Sequence, residues 1–421
     1  MLHRKLYWLT LCLLGACHAF AQHTVAAQSM AEADAHSYQL YLDKNWKELE
    51  GYAEEAIKAG YDYYYMRMRA GIATYQNKHY RKAIRHFRKA LGFNSGDETA
   101  TVYLYNSYVY AAQYEEARNL YRRLDTTLTR RIDPVNRNAL SFLSIEAAMK
   151  FSDSASRFSP ATYIQVAGQH YVRNRLSLFH ALTYYGQEEY RQKIRQYQYY
   201  ISAAIPLKNQ FILSPAIHAV YDDLEVREIS TTTVAPMPPL PGQPPPPAMV
   251  KVTSKFVARQ TSAVAGALTL TKKMSYFDLA LGITACSFDT ARQYQVQATW
   301  SCYPFANRKL AFGAAVCHHT ETDYRQSTIS WMPFVSSLVH PRLLLSASWL
   351  KNQGGNIAEN NAYLINNSID PSLSRINVSA ELNVGKRASV YGVYSYDTRK
   401  EKFEGYHYHY HLALLGLKFI P

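Results

Sequence analysis

The chain has 421 residues, 48% of them apolar and only 19% charged, with a formal net charge of +14. This is enough apolar material for two or three folded domains and excludes global disorder. Five cysteines exclude a disulfide scaffold, and a mean hydropathy of −0.29 leaves little room for a helical membrane protein. Tyrosine is over-represented, with 36 residues against 16 Phe and 5 Trp. A low mean does not exclude a membrane protein built of strands, whose signal is alternation rather than average.

The first 21 residues read as a secretory signal peptide. Arg4 and Lys5 form a basic n-region, Leu6 to Ala16 is apolar, and Ala19-Phe20-Ala21 fits a small-x-small cleavage site. Leu14-Gly15-Ala16-Cys17 also resembles a lipobox, with Cys17 as the lipidated residue. Under either reading the mature chain leaves the cytoplasm. The positive charge then argues little for nucleic acid, and no arginine-rich tract supports it. No nucleic-acid partner is expected.

Residues 30–131 carry a 34-residue period. It appears in Trp46, Tyr80 and Tyr114, in Leu49, Ala83 and Ala117, and in Ala53, Phe87 and Tyr121. This is the period of the tetratricopeptide repeat, a pair of helices per unit. In the clearest unit, Gly71 stands where the first helix is closely approached. Ala83 is the small residue at a helix crossing, and Phe87 fills the gap beside it. The next unit has Tyr105 where Gly71 stood, so its first helix is expected to pack differently. The unit before Gly60 shows a second helix only. Two good repeats and one degenerate one are expected, on the periplasmic side. The tyrosines of this region either line a groove for a partner segment or pack between helices.

From about Asn138 the period changes to two. In Arg375–Val384, residues Ile376, Val378, Ala380, Leu382 and Val384 lie on one face. Arg375, Asn377, Ser379, Glu381 and Asn383 lie on the other. Gln293–Cys302 and Gln196–Ile205 repeat the pattern, which marks strands with one apolar face. Tight turns, such as Arg173-Asn174, Leu207-Lys208-Asn209 and Gly385-Lys386, alternate with longer polar connections, such as Asp222–Ser254 and Lys351–Ser372. Residues 138–421 then divide into about fourteen strands, with the short turns at one end and the long loops at the other, the layout of an outer-membrane barrel. The expected fold is α+β and multidomain: a short N-terminal α-helical array, then a ~14-stranded antiparallel transmembrane β-barrel. An even strand count puts both barrel ends on the periplasmic side, where exported repeats must be. A sandwich or soluble barrel would turn its apolar faces inward. Here the polar faces carry Gln, Ser, Thr, Asn, Arg and Glu, and the apolar faces carry Trp300, Trp331, Trp349, Tyr197 and Tyr394, which suit lipid interfaces.

Pro236–Pro247, inside the segment 230–250, is a polyproline II stretch. As a linker it would leave odd numbers of strands on either side. As an external loop between the fifth and sixth strands it preserves parity.

On the predicted inward faces, Asp278, Gln293, Gln295, Gln297, Arg375, Asn377 and Glu381 are candidate lumen residues, with Glu146 and Lys150. Such charges either set the selectivity of a pore or pair across a filled lumen. Alternation places Cys286 and Cys317 inward and Cys302 outward. His407, His409 and His411 alternate with Tyr406, Tyr408 and Tyr410. Three histidines on one strand are too far apart to ligate one ion unaided, and His318-His319 is a similar weak case. No nucleophile elbow, P-loop, HExxH or CxxC is present. Catalytic, cofactor and metal residues are not expected, nor is enzymatic activity.

The order of parts resembles the YaiO-like outer-membrane β-barrel proteins, and more distantly the exopolysaccharide export porins. The residues that carry the resemblance are the Trp46/Tyr80/Tyr114 and Leu49/Ala83/Ala117 series and the closing stretch Leu412–Pro421. In most such barrels the chain ends on an aromatic residue; here Phe419 is followed by Ile420-Pro421. The resemblance implies a Gram-negative outer-membrane protein, in contact with outer-membrane lipid. Its tetratricopeptide repeats would meet a periplasmic protein or peptide. The expected function is a channel or export component. The alternative is a non-conducting anchor whose repeats scaffold an envelope complex.

Overall fold

The computed structural model describes residues 29–132, 139–154, 158–173, 175–189, 192–234, 249–288, 291–321, 326–353, 356–365, 370, 372–385, 387–401 and 405–421. The signal segment 1–21 with its lipobox, the polyproline stretch 236–247 and the turn residues Asn174 and Lys386 lie outside these residues. The described chain is helical first and then all strand. Compactness divides it between Ser107 and Tyr108, so that the last helices group with the barrel. The sequence boundary at 131/138 follows instead the change in secondary structure.

Seven helices are found among the described residues: α1 (Met30–Leu42), α2 (Trp46–Lys58), α3 (Tyr64–Gln76), α4 (Tyr80–Phe93), α5 (Glu98–Tyr110), α6 (Tyr114–Tyr121) and α7 (Thr126–Arg131). Helices α1, α3 and α5 begin 34 residues apart, and so do α2, α4 and α6. The turns repeat as well. Lys44, Lys78 and Ala112 each take a left-handed conformation, with φ of 56, 64 and 54°. One residue later, the amides of Asn45, His79 and Gln113 bond back to the carbonyls of Leu40, Thr74 and Tyr108 at 3.0, 2.8 and 2.8 Å. This is the six-to-one bond that closes a helix on a left-handed residue. Helix α1 corrects the expectation that the unit before Gly60 has a second helix only. Its first helix is present, capped by the Ser29 hydroxyl, which accepts from the Glu32 amide at 3.2 Å. Ser37 and Tyr41 stand 34 residues before Gly71 and Tyr75, but the series Trp46/Tyr80/Tyr114 and Leu49/Ala83/Ala117 lie on second helices and do not report on the first.

Within the helical unit, the packing centres on small residues. A Cβ on Gly71 would stand 2.7 Å from the Phe87 ring, so this crossing requires glycine. Ala83 and Phe87 are fully buried, and Phe87 stacks on Tyr103 with ring centroids 5.2 Å apart. Tyr105 is buried too. Trp46 is half-buried against Tyr41, and Tyr80 against Tyr75.

A charged seam joins α2 to α4. The Glu50 carboxylate accepts from His79 Nδ1 at 2.9 Å, Lys82 Nζ at 2.5 Å and Asn77 Nδ2 at 2.7 Å. One turn on, Glu54 meets Arg85 at 2.5 Å and His86 Nε2 at 3.0 Å. Burial lowers the pKa of His86. Its Nδ1 accepts from Arg67 Nη1 at 3.3 Å, so the neutral ring keeps its proton on Nε2 and donates to Glu54. Burial alone would raise the pKa of Glu50, but the hydrogen bonds and charge of His79 and Lys82 outweigh it and hold the carboxyl at about 2.

In the other compact unit, fourteen of the sixteen strands found among the described residues close into one antiparallel barrel. They are β1 (Leu140–Ser152), β2 (Ala161–Val172), β3 (Leu176–Glu188), β4 (Gln192–Pro206), β5 (Phe211–Val234), β6 (Met249–Lys273), β7 (Phe277–Phe288), β8 (Ala291–Cys302), β9 (Leu310–Glu321), β10 (Gln326–His340), β11 (Leu343–Lys351), β14 (Ser372–Asn383), β15 (Ala388–Lys400) and β16 (His407–Phe419). Strands β12 (Ala358–Glu359) and β13 (Leu364–Ile365) form a separate hairpin. The first strand closes on the last, from Leu143 opposite Phe419 to Ser152 opposite Tyr410. The apolar alternation points outward. Val296 and Val378 are more than half exposed, whereas Gln293 and Gln295 are buried. Trp300, Trp331, Trp349, Tyr197 and Tyr394 all stand on the outer wall. Helix α6 rests on the short-turn rim of the wall. Glu116 pairs with Lys273 at 2.9 Å, and the Arg118 guanidinium lies 3.7 Å from the centroid of the Tyr171 ring.

The connection Asp222–Ser254, expected as a loop, is strand over much of its length. Strand β5 pairs with β4 only as far as Val226, and β6 with β7 only from Val264. Beyond those limits, residues 227–234 and 249–256 pair with each other as a two-stranded ribbon. The cause is composition: Ile229, Thr231, Thr232, Thr233, Val250 and Val252 are β-formers. Periodicity understates such a segment, because both faces of a free ribbon are wet and no alternation is imposed.

The seam makes the helical unit acid-labile. The Glu50 contribution is fully present above the ordinary carboxyl value of 4.5 and is lost as pH falls towards 2. In the full chain, the melting temperature followed by helical circular dichroism is expected to fall across that window. Glu50→Gln is expected to lower it at pH 7 and to flatten its pH dependence. An unchanged slope in the variant contradicts this role for the seam.

Candidate functional site

The barrel encloses a cavity of about 1040 Å³, lined by side chains from strands around most of the wall. Part of its boundary is set by the piece 356–365 of the connection between β11 and β14. That piece, expected within one more polar connection at the long-loop end, turns into the lumen instead. Its turn residues Asn360, Asn361 and Ala362 have φ of 51, 59 and 63°. Three successive left-handed residues, one of them alanine, are costly in isolation and persist where surrounding contacts determine them.

Those contacts come from six strands. Gln295 on β8 binds both ends of the Ala358 peptide, accepting from its amide at 3.0 Å and donating to its carbonyl at 2.6 Å. On β5, His218 Nδ1 donates to the Ala362 carbonyl at 2.7 Å, and the Ser214 carbonyl accepts from Asn361 Nδ2 at 3.1 Å. Tyr200 on β4 donates to the Asn361 carbonyl at 3.2 Å, and Thr269 on β6 to the Asn361 side chain at 2.7 Å. Gln165 on β2 donates to the Tyr363 hydroxyl at 2.5 Å. Arg375 on β14 is paired with Glu359. Room for the hairpin comes from small inward residues: Ala167, Ala181, Ala216, Ala263, Ala265 and Ala267 are all buried around it. This run of inward alanines opposite glutamine-rich strands is the one sequence signal that could have revealed the hairpin.

The lumen candidates sit as follows. Gln293 bonds to Glu321 at 3.2 Å, and Gln297 to Thr299 at 3.1 Å. Asp278 accepts from the Tyr303 hydroxyl at 3.0 Å, and Asn377 donates to Ser348 at 3.2 Å. Glu381 accepts from Ser389 at 3.0 Å and pairs with Lys418 at 3.5 Å. Gln295 and Arg375 meet on the hairpin; the others are dispersed along the wall. Of the helix-packing candidates on α6, Ala117 is buried, Tyr121 half-buried and Tyr114 exposed.

Glu146 is the group that sequence reasoning undervalued. It accepts from the Tyr163 hydroxyl at 2.7 Å, Gln165 Nε2 at 3.0 Å and the Tyr391 hydroxyl at 2.7 Å. Tyr391 reaches it by lying across Gly416, the residue opposite Glu146 on β16. A Cβ there would stand 2.2 Å from the Tyr391 ring, so the arrangement requires glycine. Towards the long-loop end, Tyr408 and Tyr410 point inward and are buried, and Phe158 stacks on Tyr408 at 4.9 Å. Arg399 pairs with Asp397 at 2.8 Å beside them. The register of β15 with β16 runs without a shift, so the histidines of β16 face outward. His411 Nδ1 there meets the Tyr394 hydroxyl at 2.7 Å. Cys286, Cys302 and Cys317 are buried. No group of three or more metal-ligating side chains occurs among the described residues.

No protein-family model matches the chain, and no curated protein matches it. Among solved structures it is similar to the CymD monoaromatic hydrocarbon channel, with 9% identity and a TM-score of 0.46, covering 71% of this chain and 92% of that one. A FadL homologue of Pseudomonas aeruginosa gives 10% and 0.43, covering 72% and 94%. The toluene transporter TodX of Pseudomonas putida gives 8% and 0.45, covering 66% and 88%. Likeness at this level assigns neither a family nor a substrate.

If the hairpin narrows the lumen, replacing residues 356–365 by a short Gly-Ser linker is expected to widen it. Liposome swelling with neutral sugars of increasing size is expected to be several-fold faster in the variant, with a larger cut-off. Equal rates in both proteins contradict a constricting role.

Proposed function

We propose that the chain is an outer-membrane β-barrel channel or export component. The observation that carries this reading is a closed barrel whose outer wall is apolar and whose lumen is polar. In hydrocarbon every backbone N–H and C=O must be satisfied within the protein, which a closed barrel achieves and an open sheet does not. A soluble barrel would gain nothing from the exposed belt of Ile283, Leu281, Val296 and Val378. The aromatic residues of that belt suit its two interfaces.

The helical hairpins are read as tetratricopeptide-like units on the periplasmic side, where an even number of strands leaves both ends of the barrel. Support comes from the 34-residue recurrence of helix starts, left-handed turns and closing bonds. Their role would be to recruit a periplasmic protein, peptide or substrate to the barrel. The resemblance to YaiO-like proteins belongs to the same reading, as does export under a cleaved signal peptide. The hairpin inside the lumen favours one other reading, a non-conducting anchor whose repeats scaffold an envelope complex.

Planar bilayers separate the two. The full chain is expected to give steady ion currents, and a chain lacking residues 22–131 to give them too, since the wall and hairpin are complete without the repeats. Absence of current from both leaves the anchor reading. Current from the shortened chain alone would mean that the repeats close the pore.

A further inference from the structure

The charges of the lumen are not evenly compensated. Among the described residues, the cavity lining carries six carboxylates against three cations, inside a chain whose net charge is +14. The cations are held back from a passing ion. Arg375 is fastened to Glu359 of the hairpin. Arg399 is bound to Asp397 at 2.8 Å and donates to the Asp370 carbonyl at 3.2 Å. Lys150 stands 3.7 Å over the Tyr410 ring.

Glu146 differs from them. Its donors, Tyr163, Gln165 and Tyr391, are all neutral. They fix the carboxylate in place and leave its charge uncancelled. Lys150, on the same face of β1 four residues away, is about 13 Å distant along the strand. Its ammonium is turned to the Tyr410 ring rather than to Glu146. Glu146 is also next to the narrowing. The Gln165 amide that binds it at 3.0 Å binds the hairpin's Tyr363 at 2.5 Å. A solute passing the hairpin on the β1 side therefore meets a rigid, uncompensated carboxylate at close range.

We infer that the lumen passes cations in preference to anions, and that Glu146 is the residue that sets this preference. The inference rests on the channel reading above. A unit charge about 4 Å from a hydrated ion enriches a cation roughly fivefold and depletes an anion by a like factor. The mechanism is the one by which fixed carboxylates select in other pores: local accumulation of counter-ions and exclusion of co-ions, without dehydration.

The test uses the purified full chain in a planar bilayer under a tenfold KCl gradient, with the reversal potential as readout. The unaltered chain is expected to pass potassium over chloride by at least about fivefold. Glu146→Gln, which keeps one acceptor oxygen and turns the other position into a donor that a tyrosine hydroxyl can accept from, is expected to bring the ratio near unity, and Glu146→Asp to retain the preference. Anion preference, or none, in the unaltered chain overturns the inference while leaving the channel reading intact. So does a Glu146→Gln protein with an unchanged reversal potential. The measurement on the unaltered chain stands even where a variant fails to fold. No current at all defeats the channel reading, and the inference with it.

Discussion

Closure of the sheet is the constraint on which the rest depends. Pairing of β1 with β16, from Leu143–Phe419 to Ser152–Tyr410, leaves no free edge in the wall. Once the ring is closed, every strand residue has one of two addresses. Outward positions face the surroundings, and inward positions face a lumen that the hairpin partly fills. The chain's low mean hydropathy follows directly, because apolar residues occupy alternate positions only. A one-residue slip in any strand would exchange the two faces, so register and amphipathicity enforce each other.

The inward hairpin shows how the closed wall shapes its contents. Its turn holds three consecutive left-handed residues that no local preference would select. Six strands impose that conformation through their side chains, and the small inward alanines of β5 and β6 leave the space. Glu146 belongs to the same arrangement, since Gln165 ties it to Tyr363 of the hairpin. Constriction and luminal charge thus arise from a single set of contacts.

The strands were legible in the sequence because one physical rule, alternation against a two-sided environment, acts on all of them. In Arg375–Val384 the expected alternation recurs in the exposure as far as Leu382, with Ile376, Val378 and Leu382 exposed. The second helix of each repeat was legible through Trp46, Tyr80 and Tyr114; helix α1 was not, since that series lies on second helices. The ribbon beyond Val226 escaped because a two-stranded segment wet on both faces has no alternation to display. The hairpin escaped because Asn360 and Asn361 look like any loop, and the contacts that draw them inward lie more than 60 residues away in sequence. The candidate lumen residues could be assigned to a face but not to partners. The importance of Glu146 depends on Tyr391 crossing Gly416, which no pattern records.

The central claim is the direction in which the alternation points. Nitroxide labels placed one at a time along 375–382 of β14, in the full chain reconstituted in lipid, test it through collision rates with oxygen and with a water-soluble nickel complex. Oxygen accessibility is expected to peak at 376, 378, 380 and 382, and nickel accessibility at 375, 377, 379 and 381. The opposite phase, or oxygen accessibility without a two-residue period, would contradict a barrel that faces lipid on its outer wall.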